Sequence, residues 1–449
     1  MVVPLGVWLI GWHRAVSVLL IASVITGGGL MAIRERALSH SFIAPYLDKK
    51  ISLLLVASVR TDPKLGQPKQ MIGYLKPAST TALVSAISIE VGGKVYKAHL
   101  PFRLTTASRI SFLPGTVISA RGILYSTSEK RVGALFAQRG VITVIHGAGA
   151  VGRLTGQIRS DFRQVARSVG GESGALIPGL VLGDTSLESH DFVNNMLSAG
   201  LTHLTAVSGE NFAILAAFMF WFLQWFVKSF RIRLLISALV LIAFIFLVRP
   251  SPSVLRATVM VSVLMIAKAR GVKSSAVPAL GLAIAVLILI DPFEAIDPGF
   301  ALSIAATAGI LLLSQPIARW IFGYLHREKL AQLLAIPISA NVLCTPLAIA
   351  ISGQFSFMSL PSNLLVEPAV GPITIVGFVA ALLSPVWPGV AYLVALTQKP
   401  FAAEIVWVAH TCAKVPVIHL SKGFLGAGIG LLVTMCGWIA IRWRSWGSH

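Results

Sequence analysis

The segment GLTHLTAVSGENFAI, residues 200–214, gathers His203, Ser208, Gly209, Glu210 and Asn211 at the start of a long apolar run. A charge at mid-bilayer costs at least about 2.5 kcal/mol, so Glu210 has to face a cavity, a partner or the membrane surface. His203 lies seven residues before Glu210, which on a continuous helix places both on one face. Ser208 and Gly209 can break or widen such a helix. A polar, glycine-containing start suits a hydrophilic path through a bundle; close helix packing at Ser208 and Gly209 is the plainer reading. Arg256 follows RPSPSVL early in a later apolar run and is the natural cation. It either borders the path, where it would touch an anion, or pairs with Glu210, Asp291 or Glu294. Asn341, Asn363 and Glu367 are further polar residues inside apolar runs, each near proline, and broken helices often border transport paths. Asp184, in LGDTS, reads as a turn or helix-cap residue.

The elements that must hold these residues are membrane helices. The chain has 449 residues, 55% hydrophobic and 12% charged. A soluble protein of this length carries about twice that charged fraction. Apolar stretches long enough to cross about 30 Å of hydrocarbon recur from residue 201 onwards. The fold class expected is a polytopic α-helical membrane protein, because spanning segments must satisfy their backbone internally and no barrel alternation runs through this half. Spans are placed near 201–227, 232–248, 253–269, 275–290, 299–322, 330–351 and 357–383. A broken or re-entrant pair follows, then a last span at 423–441. An N-terminal anchor is expected within residues 1–36.

Residues 40–150 differ. They carry fourteen Lys/Arg against four Asp/Glu, half of the chain's net charge of +20. Short alternating segments such as TALVSAISIEVGGKVYKAHLPFRL are broken by Gly92-Gly93 and Pro114-Gly115, which predicts four to six strands in a small barrel. VGGKVYK reads as a hairpin turn. Residues 151–199 open with a helix whose face Val151, Leu154, Ile158, Phe162, Val165 and Val169 is apolar. Arg159, Arg163 and Arg167 stripe the other side, a pattern suited to a membrane interface or to packing on the barrel.

Cations mark every second loop of the apolar half: Lys228/Arg231/Arg233, Lys268/Arg270/Lys273 and Arg319/Arg327/Lys329. The positive-inside rule makes these loops cytoplasmic, residues 34–200 external, and the tail 442–449 cytoplasmic. The helical domain then spans residues 200–441, in the plasma membrane.

Three ordered segments carry a resemblance: GLVLGDTSLESHDFVNNMLSAGLTHLTAVSGENFAI, PSVLRATVMVSVLMIAKARG and DPFEAIDPGFALSIAATAGILLL. With SLPSNLLVEPAVGPITIVGFVAALLSP they resemble the competence domain of ComEC-type DNA-uptake channels over roughly residues 170–390. Residues 50–146 look like the OB-fold domain that precedes it in that family. The resemblance implies import of single-stranded DNA across the plasma membrane during natural transformation. It also carries an arginine at the position of Arg256, which there would touch a passing phosphate. Glu210 departs from the family pattern after the Ser-Gly pair, and a carboxylate repels phosphates unless it pairs with a cation or stays protonated.

A cationic OB surface can track phosphates and stack bases at about 1–3 kcal/mol each. The candidate DNA-binding cations are Lys76, Lys94, Lys97, Arg103, Arg109, Arg121, Lys130, Arg131 and Arg139, with Tyr74, Tyr96, Phe102, Phe112 and Tyr125 as stacking residues. The bland alternative is that the aromatics fill the barrel and the cations solubilise it.

Nothing in the chain points to catalysis. No His-x-His-x-Asp-His motif, the mark of the family's C-terminal metallo-β-lactamase-like domain, occurs, nor a GxxxxGK[ST] phosphate loop. No metal or cofactor is expected, and Cys344, Cys412 and Cys436 suit buried apolar positions. Strand degradation and pulling are expected to fall to separate proteins: a DNA receptor, a nuclease and a cytoplasmic motor. Two other readings were weighed. A secondary transporter of a small anion leaves the basic barrel unexplained, and an intramembrane serine protease would want Gly-x-Ser-Gly where Ala206-Val207-Ser208-Gly209 stands.

Overall fold

A computed structural model describes residues 28–420, apart from 39–41, 67–68, 72–73, 77–78, 109, 128, 206, 250–251 and 270–275, together with 423 and 428. The chain divides into two compact units, Ile21–Gln157 and the residues from Ile158 onwards. The N-terminal anchor and the span expected at 423–441 fall largely outside the described residues, as does Cys436.

The first unit is a closed five-stranded barrel. Its strands are β1 (Leu53–Val59), β2 (Thr80–Val91), β3 (Pro101–Thr106), β4 (Val117–Tyr125) and β5 (Ala134–His146). Pairing runs in the order 1-2-3-5-4 and returns to strand 1, antiparallel throughout except for the parallel β3–β5 contact. This is an OB-like barrel. The cause is legible in β1, LLLVASV, where every second residue is buried. Leu55, Val84, Ile89, Phe102, Leu104 and Phe136 from all sides meet in one core. At Gly92 and Gly93, φ is +57° and +79°, which only glycine adopts freely, and Val91 pairs with Lys94 across them. The expected hairpin is present.

Two details shape the barrel wall. At Gly122 a Cβ would run into the Ala137 carbonyl and lie 2.6 Å from the Phe136 ring, so β4 approaches β5 only because the side chain is missing. Further along, the register slips between Ala120 and Arg121, where Gly140 takes φ +81°. A bulge of this kind bends the strand and re-aims its side chains.

The second unit is helical: α1 (Ala150–Val169, from Ile158), α2 (Gly171–Leu182), α3 (His190–Ser198), α4 (Gly209–Leu223), α5 (Phe230–Val248), α6 (Pro252–Ala269), α7 (Ala276–Ile290), α8 (Pro298–Leu325), α9 (Glu328–Ser352), α10 (Ser359–Leu383), α11 (Pro388–Leu396) and α12 (Lys399–Cys412). Four of them, α5, α8, α9 and α10, are long and apolar enough to cross a membrane. The short pair α11 and α12 fits the interrupted segment expected there.

Starts are set by side-chain caps. Ser189 accepts from the Phe192 N–H, Ser208 from Asn211 and Asp297 from Phe300, each satisfying a donor that the first helical turn leaves open. The span expected over 201–227 is therefore corrected. Gly200 turns at φ +76°, Thr202–Thr205 form a separate 3-10 turn, and α4 begins only after Ser208. His203 and Glu210 do not share a helix.

The arginine stripe is also corrected. Ile158, Phe162, Val165 and Val169 are buried as expected, but Val151 and Leu154 are exposed and Arg159 is buried. Arg159 turns inward toward a carboxylate described below, Arg163 is half-buried and Arg167 stays exposed.

Replacing Gly122 by alanine is expected to destabilise the barrel by about 1–3 kcal/mol through overpacking against β5. The check is the unfolding midpoint of the purified protein in denaturant; an unchanged midpoint would contradict the close approach.

Candidate nucleic-acid interface and intramembrane polar cluster

The barrel bears the basic surface, and its cations differ in availability. Arg103 is engaged: Nε donates to Glu129 Oε2 at 2.6 Å and Nη2 to Oε1. Lys130 pairs with Glu35 at 3.1 Å. Arg131 is half-buried and has interactions of its own. Lys94 and Lys97 stand exposed at the two ends of the short strand after the Gly-Gly turn. Arg109 lies outside the described residues, and of Lys76 only its place in the strand Tyr74–Lys76 is described.

Arg121 and Arg139 are different. They face each other directly across the β4–β5 pair, both exposed, and neither makes an ion pair among the described residues. Like charges directly opposite on a sheet are destabilising unless an anion lies between them. The Gly140 bulge sits beside Arg139, and bulges of this kind re-aim neighbouring side chains. Two exposed guanidiniums on opposed positions are a candidate seat for a phosphate.

The aromatic candidates fare less well. Phe102 is wholly buried in the barrel core and cannot stack a base; its alternation on β3 puts it inside. Tyr96 stacks on Phe42 with centroids 5.0 Å apart. Phe112 packs on the core, and Tyr125 stays half-exposed. The side chain of Tyr74 lies outside the described residues.

In the helical unit, the polar residues meet around the start of α4. Ser208 caps the helix. Gly209 is packed so closely that a Cβ would lie 3.0 Å from Arg256 Nη2, which lets α6 bring its arginine against the first turn of α4. Arg256 is only 4% exposed, and its Nε and Nη1 have no hydrogen-bond partner among the described residues. It does not form the hydrogen bonds that a structural pairing with Glu210 would give.

Glu210 has another companion. It is exposed, and Glu367 in the middle of α10 is its neighbour. Asn363, one turn before Glu367, is 8% exposed with Oδ1 unpartnered among the described residues. Asn211 is buried and donates to the Leu180 carbonyl at 3.0 Å. Asn341 donates to the Pro337 carbonyl at 3.1 Å, and Ser359 donates to its Oδ1 at 3.4 Å. His203 stands exposed in its 3-10 turn with the charge of Glu210 nearby. Thus Gly209 with Arg256, Glu210 with Glu367, and Asn341 with Ser359 form three contacts linking α4, α6, α9 and α10.

One group was missed in the sequence. Asp184 is a hub: Arg163 donates to its Oδ2 through Nε at 2.9 Å and Nη2 at 2.5 Å, and Arg159 lies 4.0 Å away. Burial alone would raise its carboxyl, but the Ser186 hydrogen bond and the two arginines outweigh this and hold it below its ordinary value. Glu188, four residues on, has the opposite fate. Neither carboxylate oxygen has a partner among the described residues, and burial, helped by the charge of Asp184, pushes it up to about 8. The LGDTSLES spacing signals a loop, but nothing in it distinguishes the paired carboxylate from the unpaired one. Among the described residues, no group of three His, Cys, Asp or Glu is placed to hold a metal ion.

The family model described as Competence protein matches residues 180–446, more than half of the chain. The chain belongs to the Competence protein family. A relative, ComE operon protein 3 of Bacillus subtilis (strain 168), is 27% identical over 212 residues, 47% of this chain and 26% of the relative. The chain thus spans about a quarter of that relative's length in the matched part. No solved structure matches the chain significantly. The competence match contains α4, α6, α9 and α10 and with them the whole polar cluster; the barrel strands precede it. The chain is a multi-pass membrane protein of this family.

Glu188 makes stability depend on pH in a stated direction. Its folded value, about 8, lies above the ordinary 4.5, so the folded state holds the proton more tightly between those values. Stability contributed by this group is therefore present at low pH and lost as pH rises from about 4.5 to about 8. Glu188→Gln is expected to remove that decline. Thermal melts of both proteins across this range test it, and parallel curves would refute it.

Proposed function

We propose that the chain is a channel for importing single-stranded DNA across the plasma membrane during natural transformation. The observation that carries this reading is the Arg121–Arg139 pair on an OB-like barrel in a competence-family protein. Two exposed guanidiniums, opposed across a strand pair and without counter-ions, repel each other until a phosphate sits between them. Lys94 and Lys97 extend the basic surface along the same barrel.

In the helical unit, Arg256 is the anion contact of the path. Its unpartnered Nε and Nη1 retain the capacity to donate to a phosphate oxygen. Ser208, Gly209, Asn211, Asn341 and Asn363 supply the surrounding polarity, and His203 lies near Glu210.

The residue range 40–150 forms an extracytoplasmic OB-like domain, 151–199 a connecting helical region, 200–441 the competence-type helical domain and 442–449 a cytoplasmic tail. The barrel faces outside and the C-terminus faces the cytoplasm, following the charged loops. The cargo is single-stranded DNA. A separate receptor, nuclease and cytoplasmic motor complete the pathway, and the chain itself is not an enzyme.

Two measurements test this. Full-length protein is expected to bind single-stranded DNA with a steep salt dependence, and the Arg121→Ala/Arg139→Ala double variant, which removes one phosphate seat, should lower the log–log slope by about 0.7. An unchanged slope removes the pair from the interface. In cells, a deletion strain should fail to internalise labelled DNA, wild type should restore it, and Arg256→Ala should not. Normal uptake in the deletion strain would eliminate the channel.

A further inference from the structure

The end of α4 and the start of α5 form a turn rich in exposed rings. Trp221, Phe222, Trp225 and Phe226 are all exposed, the last two at 71% each. They are ordered rather than scattered: Trp221 meets Trp225 edge-on at 6.4 Å and Phe222 meets Phe226 at 5.1 Å. Exposed apolar rings of this density need a non-aqueous neighbour. Helix α4 has 15 residues. At 1.5 Å per residue it reaches only about 22 Å, short of the roughly 30 Å hydrocarbon layer, so the turn that ends it is drawn to the lipid surface.

The same turn carries cations. Lys228 and Arg231 are exposed, and Arg233 sits over two rings, 5.1 Å from the centre of Phe220 and 5.8 Å from that of Phe230. Those two rings pack edge to face at 5.6 Å, so the guanidinium rests on a built aromatic seat. Its Nε is buried without a hydrogen-bond partner. No Asp or Glu occurs in the sequence between Glu210 and Asp291. Three positive charges therefore stand at a turn whose sequence carries no carboxylate from residue 211 through residue 290.

We propose that the turn 221–233 is a binding surface for anionic phospholipid, its rings lying at headgroup level and Lys228, Arg231 and Arg233 holding the lipid phosphate. The aromatic residues set the depth and the cations set the lipid charge. The inference uses only the membrane character of the chain and does not depend on DNA transport or on which leaflet the turn faces.

The test is retention of phosphatidylglycerol against phosphatidylcholine by the purified full-length protein, read by native mass spectrometry from mixed micelles. Wild type should retain phosphatidylglycerol preferentially. At about fivefold per cation near the surface, Lys228→Gln/Arg231→Gln should weaken that preference roughly 25-fold. Arg233→Lys, which keeps the charge but loses the planar fork, should weaken it less. A control, Arg327→Gln/Lys329→Gln, removes equal charge from a turn with its own carboxylate, Glu328, and should leave the preference intact. Equal loss in the control, or none in the Lys228/Arg231 variant, overturns the proposal. So does displacement of the lipid by a single-stranded oligonucleotide that itself requires Lys228 and Arg231.

Discussion

A guanidinium buried among apolar helices has to be neutralised where it lies, and in the helical unit that requirement is met at Asp184. Arg159 donates to the carbonyls of Leu182 at 2.7 Å and Leu247 at 3.1 Å while facing the Asp184 carboxylate. One side chain thereby ties α1 to the ends of α2 and α5. Arg163 completes the neutralisation from the next turn of α1. Breaking such a group by removing one partner leaves an uncompensated charge, which is why these contacts have to form together. The loop after α2 is positioned by them, and with it Glu188 and the approach to α4.

Arg256 shows the contrast. It is as buried as Arg159 yet lacks the carbonyls and carboxylate that satisfy the other. Arg159 is therefore architectural, whereas Arg256 retains unused donor capacity beside the polar start of α4. Prolines add to this polarity. Pro337 and Pro346 lie inside α9, and Pro368 and Pro372 inside α10, where each removes a backbone hydrogen bond. Asn341 adds a side-chain bond to the Pro337 carbonyl, while the carbonyls these prolines leave open lie four residues earlier. Irregular helix backbone of this kind is tolerated at membrane depth only where protein or water covers it.

Much of the architecture was legible in the sequence. Alternation in LLLVASV and the Gly-Gly turn announce a barrel because the strand period and the left-handed φ leave few other readings. Unbroken apolar length announces α5, α8, α9 and α10. What periodicity could not show were contacts made across the chain. His203 and Glu210 share a face only if the helix is continuous, and the Ser208 cap ends that possibility. Arg159 looked solvent-facing because its partner lies in a loop, Asp184. The facing of Arg121 and Arg139 depends on a register shift at Gly140, which no pattern on either strand alone contains. Glu367 stood out as polar, but its meeting with Glu210 joins residues far apart in the chain. The paired state of Arg103 and Lys130 was invisible for the same reason.

The barrel is solid. Phe102, Phe136, Leu104 and Ile89 fill its axis, and each is wholly buried. No polymer can thread it. On the function proposed above, a strand held by this unit would ride around the outside, like rope on a bollard, gripped at a few charged points and free to slip between them. Grip and release are then settled on one curved surface, with no lumen to jam.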